Sequence, residues 1–217
     1  MFHAVVYALL DSLNVLLIGL IVVVGVMQPK NGKYGKIVSL LIAGDWLGVF
    51  LLALVTMFIF DGLGEIVKTL VESPTFGIIL IVVGVISFFL ALKGGDSTEL
   101  MAKLLPPLQR PSIKTFFGGM ALGMIQSVTS APFFAGIAVL SAGDFSVMVR
   151  YVGMFFYASL ALSLPFLTAL LVAMVRHYPE SPAGRFFIWM RGHKDQASQY
   201  SGYFIAIVLI AMGVLHL

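Results

Sequence analysis

Cysteine is absent from the chain, which excludes disulfides, thiolate metal ligation and thiol redox chemistry together. Charge is scarce as well. Aspartate, glutamate, lysine and arginine supply 11% of the 217 residues, against roughly a quarter in ordinary soluble domains, too little to clothe the molecule in water. No G-x-S-x-G, no H-E-x-x-H and no phosphate-binding P-loop occurs. The histidines, His3, His177, His193 and His216, are scattered over ends and loops without metal-ligand spacing. With neither a nucleophile–base pair nor a two-metal cluster, enzymatic activity is not expected. Neither is a cofactor or a metal, beyond a proton or sodium ion for coupling. The start does not read as a cleaved signal peptide, because a basic n-region and a small-residue cleavage site are missing and Asp11 interrupts the h-region.

What is present is apolar: 60% of residues are hydrophobic and the mean hydropathy is +1.05. A membrane-crossing helix takes about 20 apolar residues. Six such runs cover residues 5–27, 37–60, 74–92, 115–141, 147–175 and 200–217. The expected fold is therefore an all-α integral membrane protein of six transmembrane helices, one membrane domain over 1–217, with lipids as its surroundings.

The loops orient it. The first connector carries Lys30, Lys33 and Lys36, the third Lys93, Lys103, Arg110 and Lys114, and the fifth Arg176, Arg185, Arg191 and Lys194. The second holds Asp61, Glu65 and Glu72 against Lys68, and the fourth is a tight turn at Gly143-Asp144. The positive-inside rule places the odd connectors in the cytoplasm and both termini outside. The isoelectric point near 9.2 then records topology, and no nucleic-acid partner is expected, since aromatics and cations are not interleaved on a soluble surface. Leu63, Ile66, Val67, Leu70 and Val71 recur at helical spacing within 61–72, which predicts a short helix on the outer interface. Residues 185–191 mix aromatics with flanking arginines and suit the inner headgroup layer, at about 1 kcal/mol per basic residue near anionic lipid.

Runs one and four share a polar core. Leu9-Leu10-Asp11-Ser12-Leu13-Asn14 aligns with Met124-Ile125-Gln126-Ser127-Val128-Thr129, polar to polar and apolar to apolar. Each cluster opens a group of three runs, 1–92 and 115–217, with 93–114 as the cytoplasmic connector. Three is odd, so two successive copies enter the membrane in opposite directions. The pattern predicts a 3+3 inverted repeat, a plan of secondary transporters whose sites lie near the midplane between repeats.

Polar residues inside spans mark the candidate site. A carboxylate at a helix centre costs about 2.5–3.5 kcal/mol on insertion scales and is normally turned inward and used. Asp11, with Ser12 beside it and Asn14 one turn on, and Asp45 in the second run are the two carboxylates. Desolvation favours the protonated form of such groups, which suits them to carry a coupling proton or to receive a cation. The other reading of each is a hydrogen bond to a neighbouring helix. Gln126, Thr129 and Ser130 fall on one helical face beside Ser127, and Pro132 removes a backbone donor and loosens the ladder there, as Pro165 does in the fifth run. Broken helices offer carbonyls and helix ends to a substrate; ordinary hydroxyl-mediated packing is the alternative. Arg150 reads as an arginine snorkelling to the outer headgroups, or as an anion contact at the outer mouth. Gly118, Gly119 and Gly123 suit close helix packing.

Asp11-Ser12-Leu13-Asn14, the basic first connector, Ala43-Gly44-Asp45-Trp46 and the stretch from Gln126 to Pro132 resemble the GAP family. These are the peptidoglycolipid and sulfolipid addressing proteins of actinobacteria, within the lysine-exporter superfamily. The resemblance covers the whole length through short motifs. It implies a bacterial plasma-membrane exporter of cell-envelope glycolipids, lipid precursors or small metabolites. By position, Asp11 and Asn14 match the first-span polar motif, and Thr129, Ser130 and Pro132 the fourth. The chain departs from the family in lacking the paired cysteines of thiol-redox members and the Asn-Pro pair of several relatives, since Val15 follows Asn14. Two alternatives accompany glycolipid export: proton-coupled export of a cationic amino acid or metal ion, and a non-transporting scaffold for an envelope-building enzyme. Small six-span transporters often pair, so a homodimer is a further expectation.

Overall fold

The computed structural model describes residues 2–29, 32–93, 110–178 and 180–182, together with 185, 203, 207, 210, 211 and 213–215. Most of the expected sixth span, the central connector at 94–109 and most of 185–191 fall outside the described residues. Those described are helical, with no strand among them: α1 Phe2–Asp11, α2 Val15–Met27, α3 Tyr34–Glu72, α4 Pro74–Lys93, α5 Ile113–Val128, α6 Ala131–Ala142, α7 Val147–Ala161 and α8 Ser163–His177. Polar side chains start several of them. Asn14 accepts the Leu17 amide at 2.9 Å, Ser130 the Phe133 amide at 3.2 Å and Ser146 the Val149 amide at 3.4 Å, each satisfying a donor that a helix start leaves free.

The protein is a membrane protein by length and apolarity of its helices. Tyr34–Glu72 and Val147–His177 are each long and apolar enough to cross a bilayer. Two bent pairs raise the number to as many as four if each pair is one span: Phe2–Asp11 with Leu16–Gly25 at 46°, and Ile113–Val128 with Ala131–Ala142 at 77°. The apolar residues of these helices are exposed on their outer faces, among them Phe58, Phe117, Phe156, Phe166 and Leu170, where lipid replaces water as solvent.

At 39 residues, α3 would run about 58 Å if straight, nearly twice a hydrocarbon core of about 30 Å. It turns instead at Gly64, whose φ of 24° and ψ of −90° lie outside the helical region, a conformation glycine alone adopts readily. Beyond this kink residues 65–72 form a second, short helix, where one was expected over 61–72. Val67 and Val71 are buried in the core, while Leu63, Ile66 and Leu70 stay exposed. Lys68 ties this short helix to Asp144 at 3.2 Å.

Packing follows glycine. Gly44 and Gly48 on α3 face Gly119 and Gly123 on α5, and a methyl on any of the four would strike a carbonyl oxygen, of Phe116, Met120, Leu41 or Asp45 respectively. Two small-xxx-small stripes therefore hold the backbones in direct contact. The pairs rise together along both chains, so α3 and α5 run parallel. α2 and α8 are parallel too: Gly25 lies against Val172, and one turn on Arg176 donates to the Gln28 carbonyl at 2.9 Å.

The core divides in two along these helices. One cluster joins α1, α6 and α7 to α3 beyond Val49; the other joins α2 and α8 to α3 before Leu41, with Leu122 of α5. Trp46 packs against both clusters, donating to Ser159 at 3.2 Å and stacking on Phe50 with centroids 5.1 Å apart. The breaks fall in the layer between the clusters. They are Ser12–Asn14, Thr129–Ser130, and Leu162, where α7 gives way to α8 and Pro165 denies the ladder a donor.

Candidate functional site

Three pieces of chain bring their polar groups to this layer. Where α1 ends, Ser12 donates to the Leu9 carbonyl at 2.6 Å and Asn14 caps α2, so both are used in shaping the break. Where α5 ends, Thr129 donates to the Gln126 carbonyl at 3.0 Å and is exposed. Ser127 is buried. Pro132, buried in the first turn of α6, sits where a helix needs no backbone donor. Its carbonyl accepts the Tyr157 hydroxyl from α7 at 3.1 Å.

The two breaks meet at one bond. The Ser130 hydroxyl donates to Asp11 Oδ1 at 2.5 Å, while its oxygen also caps α6. Asp11 closes α1, an end that disfavours negative charge, but lies at the start of α6, an end that favours it. One serine thus couples a carboxylate to the start of a helix, and the two matched polar segments of the sequence face each other. Asp11 does not stand with Asn14 as one polar face, since Asn14 has turned to its own helix.

Asp45 is different in kind. It is wholly buried on α3, and neither carboxylate oxygen has a hydrogen-bond partner among the described residues. It lies within the electrostatic reach of Asp11. Gln126 continues the α3-facing stripe of Gly119 and Gly123, and its Nε2 is buried without a partner, as is the Tyr7 hydroxyl one turn before Asp11. Tyr7 and Tyr157 carry no sequence signal beyond apolar surroundings; the spacing of Tyr7 four residues before Asp11 is the one clue available.

Above the breaks a cavity of about 440 Å³ opens between α1, α6 and α7. Ala4, Ala8, Leu140, Val152, Gly153 and Tyr157 line it. The lining is apolar, and Tyr157 at its base leads to Pro132 and from there to Ser130.

Each end of the bundle is tied by a charge. Arg150 is held in an ion pair: its Nη1 binds Asp61 Oδ1 at 2.6 Å, with the two side chains 20% and 24% exposed. Ser141, near the end of α6, donates to the same oxygen at 3.2 Å. At the other end, Arg176 donates to the carbonyls of Gly25, Gln28 and Pro29 and lies 5.0 Å over the Tyr34 ring, whose hydroxyl donates to Ala169 at 3.2 Å. Asp61→Asn should lower stability by about 1–2 kcal/mol, because it strands a half-buried guanidinium. Thermal unfolding in detergent measures it, and Asp61→Asn with Arg150→Gln should recover part of the loss; a double variant destabilised by the sum of the two single losses would mean the pair is not coupled.

Among groups of three or more histidines, cysteines, aspartates and glutamates, none among the described residues is placed to hold a metal. The chain matches no protein-family model, no curated protein and no solved structure.

Proposed function

We propose that the chain is a secondary transporter of the bacterial plasma membrane that exports a cell-envelope glycolipid or lipid precursor. The observation that carries the reading is the meeting of two broken spans at Asp11 and Ser130. Breaks within a bilayer are tolerated where they line a site or a cavity, and the apolar cavity beside them suits an acyl chain more than a hydrophilic metabolite. A kinship with the GAP family of the lysine-exporter superfamily is part of the same proposal.

Packing supports a 3+3 inverted repeat. Each broken span lies against the second span of the other half: α1 and α2 against α7 and α8, α5 and α6 against α3. Parallel α3 and α5 need one crossing between them, and the apolar helix α4 stands between them in the chain. Tyr203 touches Phe88 and Gly213 touches Gly77, an antiparallel order along α4 that fits a sixth span. Proton-coupled export of a cationic amino acid or metal ion is the second reading, favoured by the presence of two carboxylates, Asp11 and Asp45, inside the apolar bundle.

Two measurements test the proposal. Purified protein in liposomes should move a fluorescent glycolipid between leaflets, read by quenching of the outer leaflet; flux equal to protein-free liposomes would reject lipid transport. The cysteine-free chain also allows single labels on a clean background. Lys36→Cys should react with an impermeant maleimide only from the cytoplasmic side and Asp144→Cys only from outside; labelling of both from one side would overturn the orientation.

A further inference from the structure

We propose that Asp45 is a proton-binding site and that its proton is the coupling ion of export, the second statement resting on the transport reading above. The Asp45 carboxyl is fully buried, with both oxygens unpartnered among the described residues. An ionised carboxylate so placed loses its hydration and gains nothing in return, at a cost of several kcal/mol. The neutral acid avoids most of that cost.

The crossing also selects the ion. Gly44 and Gly48 flank Asp45, and Gly119 and Gly123 press against the backbone around it. A metal cation needs a shell of oxygen ligands, and among the described residues no group of three acidic or histidine side chains gathers to supply one. A proton needs none. Its release requires α3 and α5 to separate, so proton exchange and helix movement are one event. In that event the Asp45 O–H bond breaks, the electron pair stays on the carboxylate and the proton passes to water in the opened cavity.

The groups around Asp45 set the terms of that release. From α1 comes Asp11, whose charge acts on it, with Tyr7 one turn away. α5 meets Asp45 at Gly123 and carries Gln126 and Ser127 about one turn on, both uncharged, and the Tyr157 hydroxyl of α7 is spent on the Pro132 carbonyl. Helices α2 and α6 contain no ionisable side chain, and those of α4 and α8 lie at their far ends, Lys93, Arg176 and His177. Two carboxylates in one apolar layer resist being ionised together. With Asp11 held by Ser130 and the start of α6, Asp45 is the one that keeps the proton until a cation or a movement relieves Asp11.

Infrared difference spectroscopy of the protein in lipid reads a protonated carboxyl by its C=O stretch. At neutral pH the unsubstituted protein should show a buried –COOH band that Asp45→Asn removes and Asp11→Asn leaves, and that shifts slowly in heavy water. Asp45→Glu, which keeps the acid, should restore a band at a changed frequency and so guards against loss through misfolding. Absence of the band in the unsubstituted protein, its survival in Asp45→Asn, or its loss when sodium replaces choline would overturn the site. For coupling, a pH gradient should accelerate flux of the fluorescent glycolipid several-fold in the unsubstituted protein and leave Asp45→Asn unaffected. Flux that ignores the gradient in the unsubstituted protein overturns the coupling and leaves transport standing. A band without any flux overturns the transport reading and leaves the proton site.

Discussion

Gly123→Leu should yield no folded protein. The glycine already stands in contact with the Asp45 carbonyl, where even a methyl collides, and the obstacle is backbone rather than a side chain able to turn aside. Ordinary overpacking of a core costs about 1–3 kcal/mol; a leucine here must drive α3 and α5 apart along the stripe that Gly44, Gly48 and Gly119 share. The penalty therefore falls on the whole crossing. Because Asp45 sits inside it, separation also admits water to a buried acid. Size-exclusion chromatography of the detergent extract would show aggregate in place of a single peak. Gly118→Leu is the control, since nothing lies within 4 Å of a methyl at that position, and it should behave as the unsubstituted protein. A monodisperse Gly123→Leu would mean that the crossing is looser than the glycines imply.

Asp11→Ala should reduce flux by tenfold to a hundredfold while the protein still folds. The substitution removes the one side-chain bond between the two breaks, Ser130 to Asp11. A hydrogen bond to a charged group contributes about 1.5–3 kcal/mol, which in a rate is one to two powers of ten. Ser130→Ala should act in the same direction and also remove the cap of α6, worth about 1 kcal/mol, so it should unfold at a lower temperature than Asp11→Ala. The double variant should lose little more flux than the worse single one, as befits two ends of one interaction. Additive losses would separate the two residues, and unchanged flux in Asp11→Ala would remove Asp11 from the mechanism.

The polar layer was readable before its geometry. A carboxylate, two hydroxyls and a proline in otherwise apolar runs stand out because each is costly in a bilayer, and Pro132 points to the break between α5 and α6. The break between α1 and α2 has no proline or glycine to announce it; the sign is Asn14 as a helix start, which a run of apolar residues on both sides conceals. Asp45 shows in the sequence as a buried acid, but its isolation depends on α5, and Gly44 and Gly48 gain meaning only when set against Gly119 and Gly123. Arg150 was opaque for another reason. A cation near a span end has lipid headgroups as its default partner, and Asp61 lies 89 positions away. The short helix beyond Gly64 was legible from its helical spacing; what the spacing does not show is that a single glycine, and no loop, divides it from the long helix before it.

If the halves are read as a 3+3 repeat, the two end ties are chemical opposites in matching places. Asp61 terminates the second span of one half and meets the last turn of α6; Arg176 terminates the second span of the other and meets the last turn of α2. On the duplication reading, the halves descended from one ancestor and then took contrary signs at matching positions. Two copies of residues 1–92 would bring an acid to each end and a guanidinium to neither, and two copies of 115–217 would do the reverse. On that reading, fusion into one chain guarantees one end of each kind.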